Sequence, residues 1–195
     1  MQPRILIIDG HPDPAPQRFL HALAEAYRDG AAAARHEVRC VRIADLNFSL
    51  LRTQSEYEHA DPPENIRRCQ AEIDWATHVV ILYPLWLGAM PAVLKGWLEQ
   101  VLRPGFAFST LKLGRWPVKL QRGKSARVIV TMGMPAFIYR WFYRAHSVRS
   151  LRRNILKFVG FGSVRATLIG SVGTMGSAKR NKYLDRVRAL GARAA

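Results

Sequence analysis

An unusually apolar loop follows a strand-like run in the middle of the chain. Residues 78–82 are mainly apolar, and the loop between Pro84 and Pro91 then carries four large apolar side chains: Leu85, Trp86, Leu87 and Met90. Loops normally lie on the surface and are polar, because their backbone amides need partners. This composition predicts a wall against which a flat, apolar molecule binds.

A second loop has the features of an anion site. Residues 10–18, GHPDPAPQR, follow the apolar run at 5–9 and lead into a predicted helix. The free backbone amides and the dipole at a helix N-terminus bind phosphate groups, and we expect His11 and Arg18 to add positive charge. Alternatively, the prolines stiffen a turn that binds no ligand. The loop matches neither the GxGxxG nor the Walker pattern, so a dinucleotide fold is not predicted.

No other catalytic constellation stands out in the sequence. There is no Ser-His-Asp arrangement, no acid/base pair of carboxylates and no metal-ligand spacing, and Cys40 and Cys69 do not form a CxxC pair. We therefore expect no metal, no disulfide framework and a reducing compartment. A signal peptide and an apolar run of about 20 residues are both missing, which favours a soluble, cytoplasmic protein.

The elements that must position these loops alternate between strands and helices. Apolar runs predict strands at 5–9, 38–43, 78–83, 127–132 and 164–170, and helical patterns predict helices at 17–34, 64–75, 91–102, 137–158 and 178–190. This alternation predicts one α/β domain over residues 1–195, with a parallel sheet covered on both faces. Ligands of such sheets bind beyond the carboxyl ends of the strands. We therefore expect loops 10–18, 84–90 and 133–136 to meet.

Five motifs in this order resemble the flavodoxin-like NAD(P)H:quinone oxidoreductases of the DT-diaphorase type. They are GHP at 10–12, YPLW at 83–86, MPAVLKGWLEQV at 90–101, RPGFAF at 103–108 and VTMG at 130–133. The resemblance implies a three-layer flavodoxin-like sandwich with a five-stranded parallel sheet in the order 2-1-3-4-5. It further implies a bound flavin, FMN or FAD, that passes a hydride from NAD(P)H to a quinone-type acceptor, in a homodimer.

The resemblance also implies which residues contact the flavin. They are His11, Gln17, Arg18, Phe19, Pro84, Leu85, Trp86, Leu87, Gly88, Thr131, Met132 and Gly133. The sequence departs from the family pattern in two segments. Pro16, Gln17 and Arg18 stand where the family commonly has a Ser and an Asn, so backbone amides must hold the phosphate. Met134 stands where a second Gly is frequent, which narrows the pocket above the ring.

A catalytic pair that stabilises charge on the flavin falls, by the same resemblance, on Tyr139 and His146. The two lie seven residues apart on one predicted helix, which is two turns, so we expect them to share a face. The alternative for each is simple packing within an aromatic-rich helix.

Positive charge is concentrated in the second part of the chain. Residues 1–114 contain 12 Lys and Arg against 13 Asp and Glu, whereas residues 115–195 contain 18 against one. Such asymmetry indicates either a tolerant, soluble surface or an anionic partner. No nucleic-acid-binding motif accompanies the charge, so nucleic acid is not expected. The aromatic and basic stretch 137–158 favours peripheral association with an anionic membrane or a membrane protein.

Two other functions fit the same resemblance. Some relatives are cytoplasmic accessory subunits of potassium efflux systems, and a flavodoxin-type electron carrier would have the same fold. The carrier is disfavoured, because carriers are usually acidic and this chain has a net charge of +16. The apolar residues around Trp97 and Phe106–Phe108 are compatible with the implied homodimer.

Overall fold

Five parallel strands form a single sheet in the order β2-β1-β3-β4-β5. The computed structural model describes residues 2–109 and 116–195. The strands are β1 (Arg4–Asp9), β2 (Glu37–Arg42), β3 (His78–Pro84), β4 (Ser125–Thr131) and β5 (Val164–Ile169). The predicted order is confirmed. Residues 110–115, in the connection between the predicted helix at 91–102 and the predicted strand at 127–132, lie outside the described residues.

Eight α-helices surround this sheet in the described ranges. They are α1 (Phe19–Ala33), α2 (Gln54–Glu58), α3 (Glu64–Trp75), α4 (Ala92–Val101), α5 (Ala136–Trp141), α6 (His146–Ser150), α7 (Lys157–Val159) and α8 (Ser177–Ala192). A π-helical segment, Leu151–Leu156, joins α6 to α7. None of the described helices is both long enough and apolar enough to cross a membrane.

Side chains alternate between two apolar layers along each strand, as the pleat requires. Ile5 and Ile7 of β1 face the layer formed by α1 and α8, whereas Leu6 and Ile8 face the layer that includes α3 and α4. This arrangement is the predicted three-layer sandwich. It also explains why the central strands are apolar without interruption, since both of their faces are covered.

The core includes residues that the sequence suggested for a dimer contact. Trp97 is fully buried and Phe108 is almost fully buried within the protomer, while Phe106 packs partly buried against the same core. The apolar stripe of α4 therefore faces the sheet. The side chains of Trp97 and Phe108 are therefore part of the protomer core, and the implied homodimer stays a prediction.

Helices α1 and α8 approach each other at two glycines. A Cβ atom on Gly30 would lie 1.9 Å from the carbonyl oxygen of Arg188, and one on Gly191 would lie 2.1 Å from that of Tyr27. Gly30 lies within α1 and does not end it. The helix continues to Ala33, and Gly30 is required for close packing against α8.

The predicted helix at 137–158 is interrupted. Helix α5 ends at Trp141, and Arg144 and Ala145 adopt positive φ angles of 51° and 48° before α6 begins. The turn satisfies the last carbonyls of α5, since the Ala145 amide donates to the Tyr139 oxygen at 3.0 Å. Left-handed residues without glycine are uncommon, which is why the sequence pattern alone suggested a continuous helix.

His78, the first residue of β3, is buried without a full set of partners. Its Nδ1 lies 2.7 Å from the Ser125 hydroxyl, while its Nε2 is buried and has no hydrogen-bond partner among the described residues. The imidazole stacks on Tyr27 at 6.5 Å between ring centroids. Burial, together with the nearby charges of Arg127 and Arg165, lowers the pKa of His78 to about 4.

This environment predicts loss of stability in mild acid. Because the folded pKa lies below the unfolded value, the unfolded chain binds the proton first, and stability falls as the pH drops through 6.5 towards about 4. The His78 contribution to the free energy of unfolding should decrease by about 3 kcal/mol between pH 7 and pH 4. Urea denaturation of the wild type and of His78→Gln at both pH values measures it. An unchanged difference between the two proteins would assign the titration to other groups.

Candidate functional site

Three loops lie side by side at the carboxyl edge of the sheet. Hydrogen bonds connect them, because the Gly10 amide donates to the Leu82 oxygen at 2.8 Å and the Leu85 amide donates to the Thr131 oxygen at 2.7 Å. The strand register aligns the ends, with Asp9 opposite Leu82 and Pro84 opposite Thr131. The loops after β1, β3 and β4 therefore meet, as the strand order requires.

The apolar loop after β3 is a tight turn that presents a half-exposed indole. Trp86 and Ala89 exchange two backbone hydrogen bonds of 2.9 Å, and the residues between them, Leu87 and Gly88, have φ angles of 45° and 76°. Positive φ at both central positions is the type I′ geometry. Trp86 is 50% exposed and Leu87 is fully exposed. The turn thus holds an aromatic side chain at the rim of the site.

A buried contact between Asp9 and His21 fixes the loop after β1. The Asp9 carboxylate, at the end of β1, accepts the His11 amide at 3.1 Å and lies 2.5 Å from Nδ1 of His21. The other ring nitrogen of His21 faces the Asp13 carbonyl at 3.0 Å. A carbonyl only accepts, so this Nε2 carries a hydrogen. His21 therefore links the first turn of α1 to the end of β1 and to the middle of the loop.

His11 contributes a neutral imidazole. Burial, and then the proximity of His21, lowers its pKa below the usual value. Its Nδ1 accepts the Asp13 amide at 3.1 Å, so the ring hydrogen resides on Nε2. The ring meets Trp86 edge-on at 6.1 Å between centroids. The expectation that His11 adds positive charge is therefore wrong, although the structure does bring His11 and Trp86 together.

The start of α1 presents an uncapped helix N-terminus. Arg18 occupies the N-cap position and makes no capping bond through its side chain in the described structure. Its amide donates to the Ala15 oxygen at 3.1 Å, so the amides of Gln17, Phe19 and Leu20 are left to bind an anion. Its guanidinium pairs with Asp13, with 2.7 Å between Nε and Oδ2.

In the loop after β4, mainly one residue leaves free space beside the backbone. The backbone of Met132 is engaged on both sides, since its amide donates to the Ile169 oxygen and its oxygen accepts the Val172 amide. The Met132 side chain is buried, and Thr131 is almost fully buried. Gly133 is exposed, and a Cβ atom on it would meet nothing within 4 Å. Gly133 therefore leaves free space at this edge.

Tyr139 and His146 do not share a helix face. Tyr139 is buried, and its hydroxyl lies 2.7 Å from the Ser147 hydroxyl. His146 is exposed and begins α6, beyond the left-handed turn. The prediction of one continuous helical face carrying both residues is wrong, because α5 ends between them.

Sequence reasoning missed the roles of Asp9, Asp13 and His21. Asp9 ends an apolar strand and His21 opens a helix, and each position alone is unremarkable. The sequence offered one signal: Asp9 ends a buried strand, and His21 stands in the first turn of the helix that follows. The contact itself depends on how the proline-containing loop folds back.

The chain is similar to known proteins over most of its length. The profile of the Flavodoxin_2 family, described as a flavodoxin-like fold, matches residues 3–190. An uncharacterized NAD(P)H oxidoreductase of Haemophilus influenzae is 27% identical over 92% of this chain and 90% of its own length. An FMN-dependent NADH:quinone oxidoreductase of Cereibacter sphaeroides is 33% identical, over 59% of this chain and 60% of its own.

A solved structure is similar over nearly the whole chain. The NAD(P)H:quinone oxidoreductase from Methanothermobacter marburgensis superimposes with a TM-score of 0.82 at 25% identity, covering 99% of this chain and 97% of its own.

The Trp86 turn predicts a difference between two glycines. Neither a Cβ on Gly88 nor one on Gly133 would meet an atom within 4 Å, but only Gly88 has a positive φ. Gly88→Ala should lower the free energy of unfolding by about 1–2 kcal/mol, and Gly133→Ala, the matched control, should change it little. Chemical denaturation of both variants measures this. Equal losses would mean that packing, rather than backbone conformation, requires glycine at Gly88.

Proposed function

This chain belongs to the Flavodoxin_2 family, whose fold is flavodoxin-like, and we propose that it is an FMN-dependent NAD(P)H:quinone oxidoreductase. One observation carries the proposal. An uncapped helix N-terminus, a half-exposed indole on a type I′ turn and an open glycine converge at one edge of the sheet. A flavin mononucleotide has the matching parts, an anionic phosphate and a flat, mostly apolar ring.

The phosphate end of the flavin fits the start of α1. The amides of Gln17 and Phe19, with the helix dipole, provide donors and partial positive charge. Arg18 adds a guanidinium once it exchanges its Asp13 partner for the phosphate. FMN is proposed over FAD because a relative at 33% identity is named for FMN, and the loop needs to hold only one phosphate.

The ring end fits between the loops after β3 and β4. Pro84 to Gly88 form one wall with Trp86 and Leu87, and Thr131 to Gly133 line the other side, where Gly133 leaves space. The Nε2 hydrogen of His11, near Trp86, is a neutral donor at the base of the loop. A bound flavin supplies the hydride chemistry, accepting from NAD(P)H and passing to the quinone. These residues orient the ring and exclude water from it.

Tyr139 and His146 have different roles in the proposed reaction. His146, which is exposed, is the catalytic residue that stabilises charge on the bound ring. Tyr139 is buried and acts as a positioning residue, because its hydroxyl meets Ser147, the neighbour of His146.

The homodimer and the cytoplasmic location stay predictions. An accessory subunit of a membrane transport system is not favoured, since the relatives described above are all named as oxidoreductases. A pure electron carrier would bind flavin but would not turn over quinone with NAD(P)H, so one assay separates it from the enzyme.

Flavin binding and turnover are the first test. Purified protein titrated with FMN should quench flavin fluorescence stoichiometrically, bind FAD less tightly, and oxidise NAD(P)H with a soluble quinone. Arg18→Gln should weaken FMN binding by about threefold to tenfold, through loss of an exposed charge-assisted bond. Arg28→Gln is the matched control, since both side chains are 51% exposed and lie on or beside α1.

Other results would contradict the proposal or a part of it. Protein that binds neither flavin contradicts the proposal as a whole. Protein that binds FMN but does not turn over with NAD(P)H and quinones is a carrier or an accessory subunit. Equal effects of the two arginine variants would remove Arg18 from the phosphate site.

The catalytic roles have their own test. His146→Ala should lower kcat by about 100-fold with unchanged flavin content. Tyr139→Phe and Ser147→Ala should each lower kcat by a smaller factor and shift its pH profile in the same way, because both loosen the segment that carries His146. Wild-type turnover in His146→Ala would exclude that residue. A stability loss in Tyr139→Phe without any change in the pH profile would make Tyr139 purely structural.

A further inference from the structure

A groove lined by arginines runs along the open edge of the sheet at β5. It has a volume of about 1000 Å³ and lies between α5 and α6 on one side and α8 on the other, with Ala166 and Leu168 of β5 at its floor. Five of its lining residues are arginines and none is acidic: Arg140, Arg144, Arg149, Arg152 and Arg186. The segment 140–152 and helix α8, which are distant from each other in sequence, thus place their arginines around one groove.

Other basic side chains of the chain stabilise the fold through hydrogen bonds, but these five arginines do not in the described structure. In the described chain none of the five forms an ion pair or a side-chain hydrogen bond, whereas Arg103 donates to three backbone carbonyls and Arg127 donates to Thr167. Nε of Arg152 is buried without any partner among the described residues. A buried donor without a partner is costly, and an anion in the groove would satisfy it.

Exposed aromatic side chains stand directly beside the groove. Phe137, Trp141, Phe142 and Tyr143, on α5 and the turn after it, are 65%, 76%, 78% and 45% exposed. Phe137 and Trp141 also line the groove, and Arg140 lies 6.0 Å from the Trp141 ring. Contiguous exposed aromatic surface of this kind marks an interaction site rather than ordinary solvent exposure.

We propose that this arginine and aromatic surface docks on an anionic lipid membrane. The aromatic side chains enter the boundary between headgroups and acyl chains, where such residues are favoured. The groove arginines contact the lipid phosphates. Three of the four aromatic residues carry no hydroxyl group and protrude into solvent, which suits a hydrocarbon boundary.

A single-stranded nucleic acid fits the same surface less well. Base stacking needs flat faces presented along a basic groove. Phe142 and Tyr143 instead meet each other edge-on, at 5.0 Å between ring centroids and 82° between planes. The observations therefore favour the membrane, and a nucleic acid becomes one outcome of the test.

Vesicle sedimentation tests the proposal without using flavin or substrate, so its failure is independent of the proposed enzyme activity. The full chain should bind vesicles of equal parts phosphatidylglycerol and phosphatidylcholine at low salt, and pure phosphatidylcholine much more weakly. Binding should decrease towards 1 M salt, where the Debye length falls to about 3 Å. Trp fluorescence should shift to the blue on binding.

Matched variants separate this surface from general basicity. Arg144→Gln with Arg149→Gln should weaken partitioning by about 30-fold, since each basic residue near an anionic membrane contributes about fivefold. Lys179→Gln with Lys182→Gln, two exposed cations of α8 outside the groove, removes the same charge and should have a much smaller effect.

The aromatic part is tested in the same way. Trp141→Ser with Phe142→Ser should weaken partitioning on the order of tenfold and abolish most of the blue shift, whereas Trp116→Ser, another highly exposed indole, should not. Circular dichroism verifies that each variant folds.

Three results would overturn the proposal: no binding to anionic vesicles, equal losses in the two charge variants, or tighter binding to a single-stranded oligonucleotide than to vesicles with the same variant sensitivity.

Discussion

Burial of β3 on both faces is the constraint on which the rest of this structure depends. All seven residues from His78 to Pro84 are buried, because β1 and β4 pair with the two edges of the strand and helices cover its two faces. A parallel strand in this position requires a crossover on each side, and the crossovers return every carboxyl end to one edge. The bonds from Gly10 to Leu82 and from Leu85 to Thr131 then connect the loops that leave this edge. The site exists because the strand is central.

The features that follow from this constraint were predictable from the sequence. Apolar runs in β1, β3 and β4, and runs interrupted by charged residues in β2 and β5, predicted all five strands. The motifs around YPLW and RPGF predicted the strand order through resemblance. Features that depend on local backbone choices were not predictable. The left-handed pair Arg144 and Ala145 breaks a helix without a glycine or a proline to indicate it. The close approach of α8 to α1 at Gly30 is likewise not indicated by any local pattern.

For the basic residues, too, the sequence predicts their number but not where the fold places them. The sequence contains 18 basic residues after position 114 but does not distinguish their tasks. Arg127 is buried and bonded to Thr167, and Lys124 donates to the carbonyls of Asp74 and Ala76. Only the fold separates such structural cations from the unpaired arginines that meet at the β5 edge. The total charge alone thus leaves an anionic partner and a soluble surface as alternatives, and the positions of the unpaired arginines are what support the proposed membrane surface.

The departure of the phosphate loop from the family pattern has a structural explanation. Side chains within residues 9–21 stabilise the loop internally, since His21 bridges Asp9 and the Asp13 carbonyl, and the Asp13 carboxylate accepts the Ala15 amide at 2.9 Å. A loop held in this way presents its remaining amides at the start of α1 whatever the residues at 16 and 17 are. Anion binding through backbone groups and the helix dipole needs no serine or asparagine side chain. Under the proposed function, the departure at residues 16–18 therefore changes the source of the hydrogen bonds to the phosphate, from side chains to backbone amides.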